Sequence, residues 1–327
     1  MTGAAAVEVL KPGLETSVQD LPGRIGFWEQ GFPPSGPMDS WSFRLANLLV
    51  GNAAGEAALE CQFLGPTLRF ERASVVAVTG ADMQPVLDGA AVPMWESIAV
   101  EAGQVLTLGP VRRGARAYLA FAGGVAVPPV MGSRSTFHMA GVGGIEGHAL
   151  KPGQRLPLGE GSGVAGRRVR EACRPVIDGR HRWQIEVVPG PNDDWIDADG
   201  QRRFFTSDWK LSAKSSRTGF RLEGPEWSFA PKALQKRPEH GRDPSNILDH
   251  GYPIGAINLA GQTPIILVND APSTGGFISP YTVATAAFWK LAQALPGDIF
   301  NFASVTVAEA QALRRELDRL CQPGCIV

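Results

Sequence analysis

Long apolar runs are missing from this sequence, and so is any surplus of charge. Nowhere do about 18 consecutive apolar residues occur, so no helix is expected to span a membrane. The first residues, MTGAAAVEVLKPG, lack the basic start and apolar stretch of an export signal. Thirty-one basic residues against thirty-two acidic ones leave a formal net charge of −1. That balance provides no footprint for nucleic acid or an anionic membrane surface. Cysteine is scarce: Cys61, Cys173, Cys321 and Cys325 form no C-x-x-C pair, and the five histidines give no H-x-x-x-H spacing. The usual zinc patterns are therefore absent, and a reduced, cytoplasmic protein without a metal is expected.

What is abundant is turn chemistry. Thirty-nine glycines and 26 prolines fill roughly a fifth of the 327 residues, against a usual combined share of about 12%. From Ser74 onward, short β-branched and aromatic runs alternate with Asp-Gly, Ala-Gly and Gly-Pro, which predicts antiparallel strands of a barrel or sandwich. Asp88-Gly89 has the composition of a two-residue hairpin turn. Helices are expected over Ser40 to Val50, Tyr281 to Leu295, and Val307 to Leu320; the last has capping-box spacing between Thr306 and Glu309. The glycine-rich, then basic stretch between Leu158 and His181 marks a boundary, giving domains over 1–160 and 180–327, the second ending in a helix. Lys232 to Asp249 is polar and long enough to be a mobile loop.

Three stretches concentrate chemistry. In "QGFPPSGPMDSW", Ser35 lacks the G-x-S-x-G frame of a nucleophile elbow, and Ser35 or Asp39 is placed to cap the helix that follows. In "MGSRSTFHMAGVGGIEGHALKPG", the glycines leave backbone N–H groups free to face an anion and Arg134 has a fork for a carboxylate. The stretch matches neither a P-loop nor a dinucleotide fingerprint, and a glycine-rich barrel loop explains it equally. In "PSNILDHGYPIGAINLAGQTPIILVNDAPSTGGFISP", Asn246, Tyr252, Asn258 and Asp270 set amide, phenol and carboxylate groups among strands and turns. Such groups suit a small polar molecule with amide donors and acceptors, although Asn and Asp in turns also bond their own backbone. Thr274 and Gly275 bring backbone close to a ligand, and Lys290 is a candidate positive charge.

Taken in order, "TSVQDLPGRIGFWEQGFPPSGPMDSWSFRLANLLVGN", "LECQFLGPTLRF", "VTGAD", "GSRSTF", "VVPGPNDDW" and the third stretch resemble the biotin-dependent carboxyltransferases. This is the family of allophanate hydrolase subunit 2 and of the carboxyltransferase half of urea carboxylase. The resemblance implies a mainly β fold with a few helices, built as two cyclophilin-like β-barrel domains. It also implies transfer of CO2 from carboxybiotin to urea or a similar small amide or amine. The implied partners are a sister subunit of the allophanate hydrolase subunit 1 type, a biotin carboxylase and a biotin carrier. No Met-Lys-Met biotinylation site occurs, so biotin is expected on a separate carrier, with none covalently attached here.

On this resemblance Arg134, Ser135 and Thr136 contact the carboxylate or ureido oxygen, with Ser35 and Lys290 beside the substrate. Asn246, Tyr252 and Asn258 orient the acceptor, and Asp39 or Asp270 takes its proton. Relatives in 5-oxoprolinase complexes, which open an amide ring at the expense of ATP, and non-catalytic partners of a sister subunit share the architecture. Asn258 and the turn "DAPSTGGF" favour the urea carboxylase pattern, while Ala271 and Ser279 depart from it and leave the acceptor open.

Overall fold

The computed structural model describes residues 5–327. They form two compact units, neither contiguous in sequence. The first runs up to Gly26 and takes in Pro34–Gly179 and Leu317–Val327; the second holds Phe27–Pro33 and Arg180–Glu316. Both are mainly β, with five α-helices among the described residues.

The first unit carries β1 (Ala5–Lys11), β2 (Glu15–Gln19), helix α1 (Ser40–Leu49), β3 (Ala58–Gln62), β4 (Thr67–Phe70), β5 (Ser74–Asp82), β6 (Val86–Leu87), β7 (Ala90–Ala91), β8 (Ser97–Val100), β9 (Val105–Thr107), β10 (Arg113–Phe121) and β11 (Arg155–Pro157). They make a six-stranded sheet, β11-β1-β4-β9-β6-β7, and a five-stranded sheet, β2-β3-β10-β5-β8. Both sheets feed one aliphatic core, with Val9, Leu68 and Phe70 from the first and Leu59, Val78 and Leu119 from the second.

Strand β10 is apolar almost throughout because both of its faces are covered. Ala117, Leu119 and Phe121 enter the core between the sheets, while Tyr118 and Ala120 meet Phe43 and Leu45 of α1. The Asp88-Gly89 turn joins β6 to β7 with φ of 49° and 86°, the two positive values that a type I′ hairpin needs.

The second unit holds β12 (Arg182–Pro189), α2 (Ala198–Thr206), β13 (Trp209–Leu211), β14 (Gly219–Glu223), α3 (Pro231–Leu234), β15 (Asn246–Gly251), β16 (Ala256–Ala260), β17 (Thr263–Leu267), β18 (Thr274–Phe277), β19 (Tyr281–Val283), α4 (Phe288–Gln293) and β20 (Ile299–Ser304). Seven of these strands close a barrel in the order β12-β19-β16-β17-β14-β13-β20, and β15 pairs with β18 in a separate ribbon. Burial alternates along β12, where Trp183, Ile185 and Val187 point inward. An aromatic stack fills part of the interior: Phe204 of α2 lies 4.3 Å from Tyr281 and 4.4 Å from Phe302, ring to ring.

Two expectations change. The helix expected from Tyr281 to Leu295 is helical only from a 3-10 turn at Thr285–Ala287 through α4; its start is strand β19, paired with β12 and β16. Barrel closure overrides the i+4 spacing of Val283, Ala287 and Leu291, all buried. The stretch expected as a loop over Lys232 to Asp249 contains the end of α3 and the start of β15. Helix α5 (Val307–Arg319) forms where expected: Glu309 Oε2 accepts from the Thr306 N–H at 2.7 Å, and Thr306 Oγ1 from the Glu309 N–H at 3.2 Å.

Candidate functional site

The bend in "QGFPPSGPMDSW" belongs to the first unit from Pro34 onward, and a buried polar network pins it down. The Gly36 N–H donates to Gln19 Oε1 at 3.0 Å, and the Met38 N–H to Glu60 Oε2 at 2.8 Å. The Tyr118 hydroxyl donates to the same Glu60 oxygen and accepts from the Asp39 N–H, both at 2.8 Å. Burial, then the negative charges of Glu60 and Asp39, hold the Tyr118 phenol well above its ordinary range. The fully buried Asp39 caps α1, accepting from the Ser42 N–H at 2.9 Å and Ser42 Oγ at 2.6 Å. Ser35 is also buried, at φ 57°.

A second hub organises Gly132–Phe137. Asp20 accepts from Ser133 Oγ at 2.5 Å, Ser135 Oγ at 2.6 Å and the Arg134 N–H at 2.7 Å. Ser135 and Thr136 are inaccessible to solvent, and the Thr136 hydroxyl donates to the Val18 carbonyl at 3.1 Å. A Cβ on Gly144, at φ 52°, would sit 2.0 Å from Thr136 Oγ1, so glycine here serves close packing. The half-exposed Arg134 is anchored by Nε to the Val127 carbonyl at 2.8 Å and lies 3.4 Å from Glu56.

The open chemistry lies in the second unit. A pocket of about 340 Å³ opens beside the barrel, lined by Lys214, Arg221, Tyr252, Asn258, Ile265, Leu267, Thr274, Gly275 and Phe277, among others. Asn258 is 3% exposed, and Ser279 Oγ donates to its Oδ1 at 2.6 Å. With the oxygen held, the Nδ2 donors remain for the pocket.

Tyr252 is a wall. Its hydroxyl accepts from the Phe277 N–H at 2.6 Å, and burial is the main cause that raises its pKa. A Cβ at Gly275 would come 2.6 Å from the Tyr252 ring, so only glycine lets β18 lie this close. Behind the Lys214–Gly219 turn, Arg217 grips Asp270 through Nε at 2.9 Å and Nη2 at 3.4 Å, both side chains buried.

A second cavity, of about 730 Å³, shares Tyr252 and Thr274 and is lined also by Trp28, Glu29, Pro253 and Ser273. Among the described residues, Glu29 is the only carboxylate lining either cavity.

Of the residues singled out from sequence, Tyr252, Asn258, Thr274 and Gly275 meet around one pocket. Asp270 lies behind it, paired with Arg217. Asn246 stands on the β15–β18 ribbon, its carbonyl accepting from Lys236 Nζ at 2.6 Å. Lys290 is held on β12 by both Glu186 oxygens at 2.7 Å. Ser35, Asp39, Arg134, Ser135 and Thr136 belong to the first unit. Sequence reasoning missed Glu29, Arg217 and the cations Lys214 and Arg221. Glu29 and the partner role of Ser279 had a signal, since both fall inside quoted motifs, but nothing there marks them as facing a cavity.

An apolar pocket at a barrel, with one oriented amide and cations around it, has the chemistry that suits a small polar molecule. Residues 30–304 match the family model of the carboxyltransferase domain, subdomain A and B, and the chain belongs to that family. It is 39% identical over 321 residues to the urea amidolyase of Saccharomyces cerevisiae, covering 96% of this chain and 17% of that protein. Similarity to a 5-oxoprolinase subunit of Escherichia coli is 36% identity over 315 residues, covering 96% of each. The crystal structure of the Kluyveromyces lactis urea carboxylase agrees with a TM-score of 0.92 at 40% identity, over 98% of this chain and 29% of that one. The chain thus spans about a fifth or less of the urea amidolyases it matches. These relatives are enzymes or enzyme components, and no helix among the described residues is long and apolar enough to cross a membrane.

Proposed function

We propose that this chain is a carboxyltransferase component that transfers a carboxyl group from biotin, carried on a separate domain or chain, to the nitrogen of urea or a similar small amide. The observation that carries this reading is Asn258, its amide oriented by Ser279 within an apolar pocket, in a chain of the carboxyltransferase family. The residues fit the ureido head of biotin: Ile265, Leu267 and Phe277 offer an apolar wall, and the Asn258 Nδ2 group a donor for a carbonyl oxygen. When bound, carboxybiotin supplies the activated carboxyl group.

The chain's own part is binding and polarisation. Asn258 stabilises negative charge that grows on an oxygen, Lys214 and Arg221 attract the carboxylate, and the apolar walls exclude water. Tyr252, Thr274 and Gly275 shape the acceptor's seat, and Glu29, in the adjoining cavity that shares Tyr252 and Thr274, is the carboxylate we assign to receive the proton that the acceptor nitrogen gives up.

The 36% identity to the 5-oxoprolinase subunit sustains a second reading, in which this pocket is one wall of a site that opens a cyclic amide. One experiment separates the two. The chain is combined with its sister subunit, a biotin carboxylase and a biotin carrier, and ATP hydrolysis is followed with urea or 5-oxoproline added. Urea-dependent turnover that needs the biotin carrier and falls in Asn258→Ala supports carboxyl transfer. Turnover with 5-oxoproline and no carrier supports ring opening. A stable complex that responds to neither leaves a non-catalytic partner.

A further inference from the structure

We propose a second ligand site, on the first unit, for a flat apolar or aromatic molecule that carries a single negative charge. The site is a cleft of about 670 Å³, well within the roughly 300–1,000 Å³ of small-molecule pockets. It is framed by the β5–β6 and β7–β8 connections, the β9–β10 turn and the chain just after Cys173. All of its lining residues belong to the first unit and none lines the pocket around Asn258. The proposed carboxyl transfer therefore leaves this cleft without a use.

The walls are apolar: Val86, Val92, Met94, Trp95, Pro175 and Ile177. The polar groups are few and cationic in sum, since Arg112 and Arg113 outnumber Asp82, leaving one positive charge. Arg112 is exposed, and its guanidinium makes no hydrogen bond or ion pair among the described residues. Arg113 stands 3.8 Å from Asp82, too far for a tight pair, and Asp82 Oδ1 already accepts from the Gln84 N–H at 3.2 Å. Both guanidinium groups are available to an anion, and an apolar wall beside them selects one with a hydrophobic body.

The backbone gives a second, independent sign. Gln84 and Trp95 both line the cleft, and both are held in the left-handed region, at φ 47° and 63°. For a bulky residue such as tryptophan that conformation is strained and persists only where the surroundings enforce it.

Trp95 is so enforced. Its N–H donates to the Val78 carbonyl at 2.8 Å, and its carbonyl accepts from the Val169 N–H at 3.0 Å. The Arg174 guanidinium lies 5.9 Å from the indole and is itself fixed on the Val169 carbonyl at 2.7 Å. A strained, immobilised indole beside available arginines is a preorganised platform for a planar anion.

The probe is 1-anilinonaphthalene-8-sulfonate, an aromatic monoanion, with N-phenyl-1-naphthylamine as its neutral counterpart and 2-naphthoate as a carboxylate competitor. The sulfonate probe should bind saturably at one site and be displaced by 2-naphthoate. Its affinity should fall about tenfold or more in R112Q/R113Q, as loss of charge-assisted hydrogen bonds requires. The neutral probe should bind more weakly and ignore that double substitution. Trp95→Gly, which relieves the positive φ and removes the platform, should weaken both probes. The arginine substitutions are at exposed positions, and an unchanged thermal midpoint confirms that they report on binding. Equal affinity of the sulfonate probe for the wild type and R112Q/R113Q, or no saturable binding to the wild type, overturns the site.

Discussion

Buried polar groups serve opposite ends at the bend of the first unit and at the Asn258 pocket of the second. In the first, Asp20, Asp39, Glu60 and Tyr118 are almost wholly enclosed, and each is tied to backbone or hydroxyl groups of the bend and of the Gly132–Phe137 loop. In the second, Asn258 is just as buried, but its one side-chain bond holds the oxygen and leaves the nitrogen facing a pocket. A fully satisfied buried network fixes shape, whereas a partly satisfied one is poised to take a ligand.

The largest effects should come from removing a buried carboxylate. Asp270→Ala would leave the Arg217 guanidinium buried without its carboxylate partner, a loss of about 3–5 kcal/mol. Asp20→Ala removes one acceptor shared by three donors, and since the two hydroxyls can turn elsewhere, the cost should be smaller, about 2–3 kcal/mol. The units can be told apart: of the eight tryptophans, Trp41 and Trp95 are in the first unit and the other six in the second. Denaturation followed by tryptophan fluorescence should therefore register Asp270→Ala strongly and Asp20→Ala weakly, with circular dichroism reporting both. If Asp20→Ala proves neutral by both probes, the view of the first unit as a network that fixes shape fails.

Next in size is Asn258→Ala. Removing a donor aimed at developing charge should lower turnover by about 10²-fold, with a stability loss of about 1–2 kcal/mol because the buried Ser279 hydroxyl loses its acceptor. Glu29→Gln should lower turnover as well and leave stability alone, since Glu29 is exposed at the cavity wall. A large loss of stability in either variant would make these residues resemble those of the first unit and erase the contrast.

Asp39 offers a finer test. As a fully buried cap bonded to both the N–H and the hydroxyl of Ser42, its replacement by alanine should cost about 2 kcal/mol, while Asp39→Asn keeps an acceptor for the Ser42 N–H and should restore most of that. A base would behave differently: Asp39→Asn would then abolish turnover in a protein of normal stability. Kinetics and melting on the pair of variants decide between these roles.

Much of the fold was legible because local and tertiary demands agree. Asp88-Gly89, the Thr306–Glu309 box and the alternation along β12 each form what their own residues prefer. The strand at Tyr281–Val283 was not legible, because its period fits a helix and only closure of the barrel decides otherwise. Nor was the place of Phe27–Pro33, a short segment whose membership of the second unit depends on which side chains it meets in space. Four residues of one motif, Tyr252, Asn258, Thr274 and Gly275, came together around one pocket. Lys290 did not, since helical spacing says nothing about Glu186 on a distant strand.

The smallest effect separates the units by pH. All the cysteines lie in the first unit, where burial pushes Cys61 and Cys321 up from 9.0 to about 12, and burial with the neighbouring Cys325 thiol raises Cys173 to about 11. A raised value in the folded state means that stability is intact below the unfolded value of 9.0 and is lost as pH climbs toward the folded one. In the second unit the comparable groups are Tyr252 and Tyr281, both raised by burial above 10.0, Tyr281 to about 12, so that unit's decline starts later. Lys236 there is lowered by burial, which makes the second unit gain slightly as pH rises toward 10.5. Between pH 9 and 10, stability read by circular dichroism should therefore fall before tryptophan fluorescence shows any loss. Cys61→Ala should shrink that gap, and Tyr281→Phe, which keeps the stack on Phe204, should flatten the later decline of the second unit. Coincident curves in the wild type would show that the units unfold as one and that their polar interiors do not act separately.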